Sequence, residues 1–299
     1  AGTTKVIAVD VECGKAAEPA RFVLDTVSEH SVIKAKVANL LGCEDRGVPG
    51  WAFGADSSLN IRTVCLQTGW MGELNCGELE MASIVGKLPI PMGTAGILGL
   101  DFLRQFDWDL DFVRGCASVA TVSKDGLGPV PFDLDGLRVV PLTPVRTPAE
   151  LLACPIKVRV PGDPPAEMDC MGVADLGAAC SMLSQATAHK LGLAGPPKPY
   201  TATRPERKPK KKKKQSGFGA AKEEPEEPLF QEQRLEVDIG VGPDGPVRVE
   251  ATAAFGDIEV FENMGLSYNW PAAILGPDVL CRSRLVMSPR LKSFWLPVA

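Results

Sequence analysis

Several things are scarce in this 299-residue sequence, and each scarcity closes off a class of protein. No run of about 18 apolar residues occurs, the length at which a segment can cross a bilayer as a helix. The most apolar window, residues 82–103, is broken by Lys87, Pro89, Pro91 and several glycines. Histidine is limited to His30 and His189, so a Ser–His or Cys–His triad has little to work with. Nine cysteines are scattered without a CxxC pair. The odd count argues against a closed disulfide framework, and the spacing argues against a thiolate zinc site. They read as small buried apolar side chains of a reducing compartment. The glycine stretches "GADS", "GLGP" and "GVGPDG" precede no helix bearing Lys and Ser/Thr, so they are turns and not phosphate loops. A net charge of −5 gives no general attraction to nucleic acid. The first residue is not Met, and "AGTTKVIAV" runs directly into a strand pattern, which reads as a processed or trimmed terminus.

What is present is enough apolar material for a core, 45% of residues, at a length that suits one large or two medium domains. The chain also repeats itself. "FVLDTVSEHSVIKAKVANLLG" aligns without a gap on "GVADLGAACSMLSQATAHKLG", placing Asp25 on Asp175, Ser31 on Ser181 and Gly42 on Gly192, all 150 positions apart. A second pair, "GILGLDFL" at 96–103 and "AILGPDVL" at 273–280, is offset by 177. The additional 27 positions have a source in residues 197–228, "PKPYTATRPERKPKKKKKQSGFGAAKEEPEEP", a Pro-, Lys-, Glu- and Gly-rich stretch too poor in apolar residues to pack. Its basic half and acidic half leave two readings: an arm that docks on a charged surface, or a solvated loop that neutralises itself. The expected organisation is a lobe at 1–125, a Pro-rich connection at 126–149, and a second lobe at 150–299 carrying the insertion.

Strand signals dominate both halves. "TKVIAVDVE", "RFVLD" and "NIRTVCLQTGW" are rich in β-branched residues between turns, and "CPIKVRV", "RLEVDIGVG" and "VRVEATAAFG" echo them. After each Asp motif about two turns of helix are expected, with Ser31 and Ser181 near their starts and a glycine stop at their ends. A short helix is expected after "ILGLDFL". "FDWDLDF" alternates Phe106, Trp108, Leu110 and Phe112 with Asp107, Asp109 and Asp111, which predicts a strand with one wet face rather than a metal site.

One aspartate per lobe, each at a strand end beside hydroxyls, suggests a shared site on a two-fold axis. Two adjacent carboxyls do not both ionise readily, so one holds a proton and the pair offers base and acid together. Such a pair activates water against an amide without any metal or cofactor.

At these residues the chain resembles a known family. "LDTVSEHSVI" and "VADLGAACSML" are similar to the retropepsin pattern of apolar–apolar–Asp-Thr-Gly-Ala-x-x-Ser, and "ILGLDFL" and "ILGPDVL" to its apolar–apolar–Gly segment. The ordered set resembles a two-lobed, retropepsin-like or pepsin-like aspartic protease, close to a plant- and alga-type double-domain group. The resemblance implies two homologous closed β lobes, mainly antiparallel, with a substrate cleft between them and Asp25 and Asp175 as the catalytic pair. A flap hairpin is expected among residues 51–77, with Trp51 and Trp70 as candidate members or as core aromatics.

The departures from the pattern bear on activity. Lobe one has Asp25-Thr26-Val27, where a β-branched side chain that resists positive φ and close approach replaces glycine; lobe two has Asp175-Leu176-Gly177, where leucine replaces the threonine whose hydroxyl ties the loops together. Two functions stay open. One is a catalytically degenerate protein that serves as a structural or peptide-binding subunit of a larger assembly, holding a partner's strand in the cleft. The other is an active aspartic endopeptidase tolerant of Val27 and Leu176. Cys180 beside Ser181 reads as a packed thiol. The compartment is expected to be reducing and soluble, a plastid or the cytoplasm.

Overall fold

The computed structural model describes residues 7–13, 18–47, 61–86, 88, 90–122, 128–145, 150–197, 230–240, 245–256 and 260–298. The charged stretch from 198 to 228 and the flap candidate Trp51 lie outside them.

The first half builds β1 (Ala8–Cys13), β2 (Ala20–Leu24), β3 (Val32–Lys34), α1 (Ala35–Leu40), β4 (Glu44–Gly47), β5 (Ile61–Met71), β6 (Leu74–Ile84), β7 (Gly96–Leu98), α2 (Leu100–Leu103), β8 (Phe106–Asp111) and β9 (Cys116–Thr121). The connection supplies β10 (Leu137–Pro141) and β11 (Thr143–Val145). The second half builds β12 (Leu151–Val160), β13 (Ala166–Ala174), β14 (Met182–Leu183), α3 (Gln185–Lys190), β15 (Phe230–Ile239), β16 (Val247–Gly256), α4 (Val260–Asn263), β17 (Ala272–Leu275), α5 (Pro277–Leu280), β18 (Arg284–Ser288) and β19 (Ser293–Pro297).

Each half closes into a six-stranded barrel. In the first the order is β1-β2-β7-β3-β6-β5, sealed by β1 pairing with β5, with β4 appended to β5. In the second it is β12-β13-β17-β14-β16-β15, sealed by β12 pairing with β15, with β11 appended to β12. The strand orders are the same, and so are the directions: β2–β7 and β13–β17 are parallel, as are β3–β6 and β14–β16. Closure removes the open edges that a six-stranded sheet would otherwise expose. The architecture is the two-lobed acid-protease fold.

Period-two patterning drives these strands inward on one face. In β16, Val247, Val249, Ala251, Ala253 and Phe255 are buried, and the residues between them are exposed or half-buried. Both helices after the Asp loops end as their glycines demand, with Gly42 and Gly192 in the left-handed region at φ +67° and +73°. Their starts differ from expectation. Ser31 and Ser181 precede the short strands β3 and β14, and helix begins only at Ala35 and Gln185. The helix expected after "ILGLDFL" is instead made by that motif's own residues 100–103, and α5 repeats it.

A third sheet, β10-β19-β18-β8-β9, joins the lobes. Asp109 pairs with Val286, its own equivalent 177 positions later, so the pseudo-two-fold axis passes through this pair. The wet face expected for β8 is not wet. Asp107 is 1% exposed and is gripped by the Arg290 guanidinium at 2.7 and 3.2 Å, while Asp109 takes a bidentate bond from Arg284 at 2.8 and 2.9 Å. Arginines from the second half cover what the local pattern assigned to solvent. The Pro-rich connection also does more than span, since β10 forms one edge of this shared sheet.

Candidate active site

The parallel pairings that interrupt each barrel position the aspartates. Where β2 runs out beside β7, the Asp25 N–H donates to Leu98 O at 3.1 Å; in the second lobe the Asp175 N–H donates to Leu275 O at 3.0 Å. The chain after β7 then passes close under the Asp loop. A Cβ on Gly99 would lie 2.7 Å from Ser28 O, and one on Gly276 would lie 2.7 Å from the Cys180 carbonyl carbon, so both crossings require glycine. Ser31 and Ser181 lock the crossings. Ser31 donates through N–H and Oγ to the Asp101 carboxylate and accepts from Gly99 N; Ser181 does the same with Asp278 and Gly276 N. These serines hold the loops in shape and do not touch the paired aspartates.

Each catalytic candidate sits in a cradle of two backbone donors. Asp25 Oδ1 accepts from Val27 N at 2.8 Å and Ser28 N at 3.0 Å. Asp175 Oδ1 accepts from Gly177 N at 2.9 Å and Ala178 N at 3.0 Å. The two carboxyls share a neighbour: a Cβ on Gly177 would lie 2.7 Å from Asp25 Cγ, so the Asp25 carboxyl rests on the backbone whose N–H binds Asp175. Asp175 is 7% exposed, and its pKa is pushed up to about 7, by burial first and by the charge of Asp25 second, against the pull of its two N–H donors. It therefore keeps its proton through the mildly acidic range and supplies the acid of a possible acid–base pair.

The structure places the departures as follows. Thr26, fully buried, crosses the axis as the resemblance implies. Its hydroxyl donates to Ala174 O at 2.7 Å and accepts from Leu176 N at 3.1 Å. Leu176, also fully buried, has no hydroxyl to return those bonds, so the loops are tied from one side. Positive φ is not the issue at position 27: neither Val27 nor Gly177 is in the left-handed region. Nor does valine cost the cradle its donor, since its N–H binds Asp25. What differs between the two positions is the side chain. Gly177 gives the opposite carboxyl a bare backbone to rest on, whereas Val27 carries an isopropyl group seated on the second lobe's apolar cluster of Val173, Ala178 and their neighbours.

Ser28 was missed by pattern reading, yet its Oγ donates to Asp25 Oδ2 at 2.7 Å and fixes the second carboxylate oxygen. Its adjacency to the Asp-Thr pair was the available signal. The equivalent position in lobe two is Ala178, which can offer only its N–H. Trp70 belongs to neither flap nor core. It is 39% exposed and pairs with Glu12, five residues along β1 from Ile7, whose carbonyl binds Leu24; it sits at the far end of the barrel from Asp25. The Cys180 thiol is pushed up by burial and by the carboxylates of Asp278 and Glu232, which makes it a poor nucleophile. All nine cysteines are free thiols. Among the described residues no helix is long and apolar enough to cross a membrane.

Fold and site together define a two-lobed acid-protease-fold protein in which both active loops are altered. No family model matches the chain, and no curated protein matches it. Among solved structures it is similar to basic 7S globulin from soybean, at 11% identity and a TM-score of 0.48, over 100% of this chain and 92% of that one. It is also similar to conglutin gamma, a basic 7S globulin from lupine seeds, at 10% identity and a TM-score of 0.45, over 99% and 96% of the two chains.

Proposed function

We propose that this protein is a catalytically silent acid-protease-fold subunit that binds an extended peptide segment between its lobes, as part of a larger assembly in a plastid or the cytoplasm. One observation carries the reading: a side chain at position 177 would collide with the Asp25 carboxyl, and the equivalent position 27 does carry one. Water attack by a carboxyl pair needs both groups placed to about half an ångström, and the valine side chain removes the symmetry that would place them. The one-sided Thr26 tie works in the same direction, because only one lobe's loop is bonded to the other. In this reading Asp25 and Asp175, with Thr26, Val27, Leu176 and Gly177 around them, form the floor of a peptide groove, and the arm at 197–228 adds charged contacts to the assembly. No metal or cofactor enters.

A second reading, an active endopeptidase, is favoured by the elevated Asp175 pKa facing Asp25, the arrangement an acid–base pair requires. Incubating the protein with a peptide library between pH 4 and 7 decides between them. The expected outcome is no turnover in wild type, and turnover gained when Val27→Gly and Leu176→Thr are combined. Wild-type cleavage abolished by both Asp25→Asn and Asp175→Asn would establish the second reading.

A further inference from the structure

The duplication supplies an internal control for surfaces as well as for the site. On α1 and α3 the equivalent positions differ in one direction. Lobe two has Ser184, Ala186, Thr187 and Lys190 where lobe one has Lys34, Lys36, Val37 and Leu40. In lobe two the hydroxyls clamp the helix down: Ser184 Oγ accepts from Thr187 N and Ala272 N and donates to Trp270 O, and Thr187 Oγ1 donates to Ala272 O at 2.9 Å. In lobe one α1 has no side-chain cap, and its hold on the same connection is the Lys34 N–H on Ala95 O and Lys34 Nζ on Thr94 O. Where the clamp is missing, a groove of about 760 Å³ lies between α1 and the segments leading out of β6 and into β7.

The groove is apolar at its walls and basic at its rim. Leu40 is 83% exposed and Val85 61%, and Met92, beside the lining residue Gly93, is wholly exposed. Concentrating three large exposed apolar side chains around one concavity is the mark of an interaction surface. The unbonded alternative is visible in the same molecule, because lobe two keeps an exposed lysine at the position of Leu40. On the rim, Arg21 is neutralised by Asp10 and Glu18 contributes one negative charge, while Lys34 and Lys36 are in no ion pair among the described residues. The local balance is positive on a chain whose total is −5.

We infer that this groove docks a short acidic segment of a partner protein, bearing apolar side chains that fill the space beside Leu40 and Val85 and carboxylates that meet Lys34 and Lys36. Its volume is within the range of formed ligand sites, and the charge complementarity selects acidic partners over basic ones. The surface is independent of the paired aspartates, so it holds whether or not the cleft cleaves peptides.

The test is selection of a phage-displayed random library of roughly twelve-residue peptides on the full-length protein. Sequences combining Glu or Asp with Leu, Phe or Met are expected to be enriched. A synthetic copy of the leading sequence is expected to lose about tenfold or more in affinity on Leu40→Lys, which installs the residue of the other lobe, and on Lys36→Glu, and to weaken with added salt. Enrichment that is equal on the Leu40→Lys protein, enrichment of basic sequences, or no enrichment overturns the inference. So does concentration-dependent self-association that Leu40→Lys abolishes, which would make a second copy the occupant.

Discussion

Asp25 and Asp175 stand in nearly the same backbone cradle, each with two N–H donors on Oδ1, yet the two loops have divided the remaining work between them. Lobe one kept the hydroxyls: Thr26 ties the lobes together and Ser28 holds the second oxygen of Asp25. Lobe two has the open backbone at Gly177 and no hydroxyl at either equivalent position, which are Leu176 and Ala178. The consequence is chemical asymmetry between two residues that the fold makes equivalent. Backbone-borne features are the same in both copies because the barrel closure enforces them, while features borne by single side chains differ between the copies.

The largest difference between the lobes lies beneath the site, in the shared sheet. Asp107 and Arg284 are equivalent positions with opposite charge, so the first lobe presents carboxylates and the second presents guanidiniums. Arg290→Ala leaves Asp107 buried without its main partner and is expected to destabilise the protein by about 3–5 kcal/mol in chemical denaturation. Adding Asp107→Asn is expected to recover much of that loss, and a cost unchanged by the second substitution would show that packing of the Arg290 stem, not charge, is what matters.

Asp175 gives the next effect. Its pKa is raised on folding, from 3.8 to about 7, so the folded state holds more protons than the unfolded state between those values. Stability is therefore fully favoured below about pH 4 and is lost as pH rises toward 7, by about 4 kcal/mol at roughly 1.4 kcal/mol per unit. Asp175→Asn is expected to flatten the melting temperature across that window and to be more stable than wild type at pH 8. A wild-type profile already flat between pH 4 and 7 would show that the burial and the facing charge of Asp25 do not act as described.

A smaller effect comes from the tie itself. Thr26→Val keeps shape but strips both cross-lobe bonds, leaving Ala174 O and Leu176 N without this partner in a buried seam, and is expected to cost about 2 kcal/mol in denaturation. Leu176→Thr is expected to recover part of this when combined with it, because the tie can then be made from the other side. No recovery would mean that the two loops are not interchangeable even in backbone.

Much of this was readable in the chain. The duplication and the offset of 150 between the aspartates are legible once the chain is aligned on itself, and the glycine stops and strand patterns follow from local periodicity, which makes the fold mainly β. The surroundings of β8 were not readable. An alternation of apolar residues with aspartates looks the same whether the acidic face meets water or meets arginines 175 and 183 positions away. Ser28 shows in the sequence only as a hydroxyl next to Asp-Thr, and its bond to Asp25 Oδ2 exists only once the loop folds the two together.

Two copies of one unit, each delivering a carboxyl from a strand end, are already written in the chain, because strand period, turn glycines and motif spacing need no tertiary partner. Only when the lobes meet is Asp175 pushed toward its protonated form, is Val27 seated on the opposite lobe's apolar cluster, and are Asp107 and Asp109 of β8 ion-paired. Those outcomes depend on burial and on hydrogen-bond partners from the opposite lobe, and neither exists until the two barrels meet.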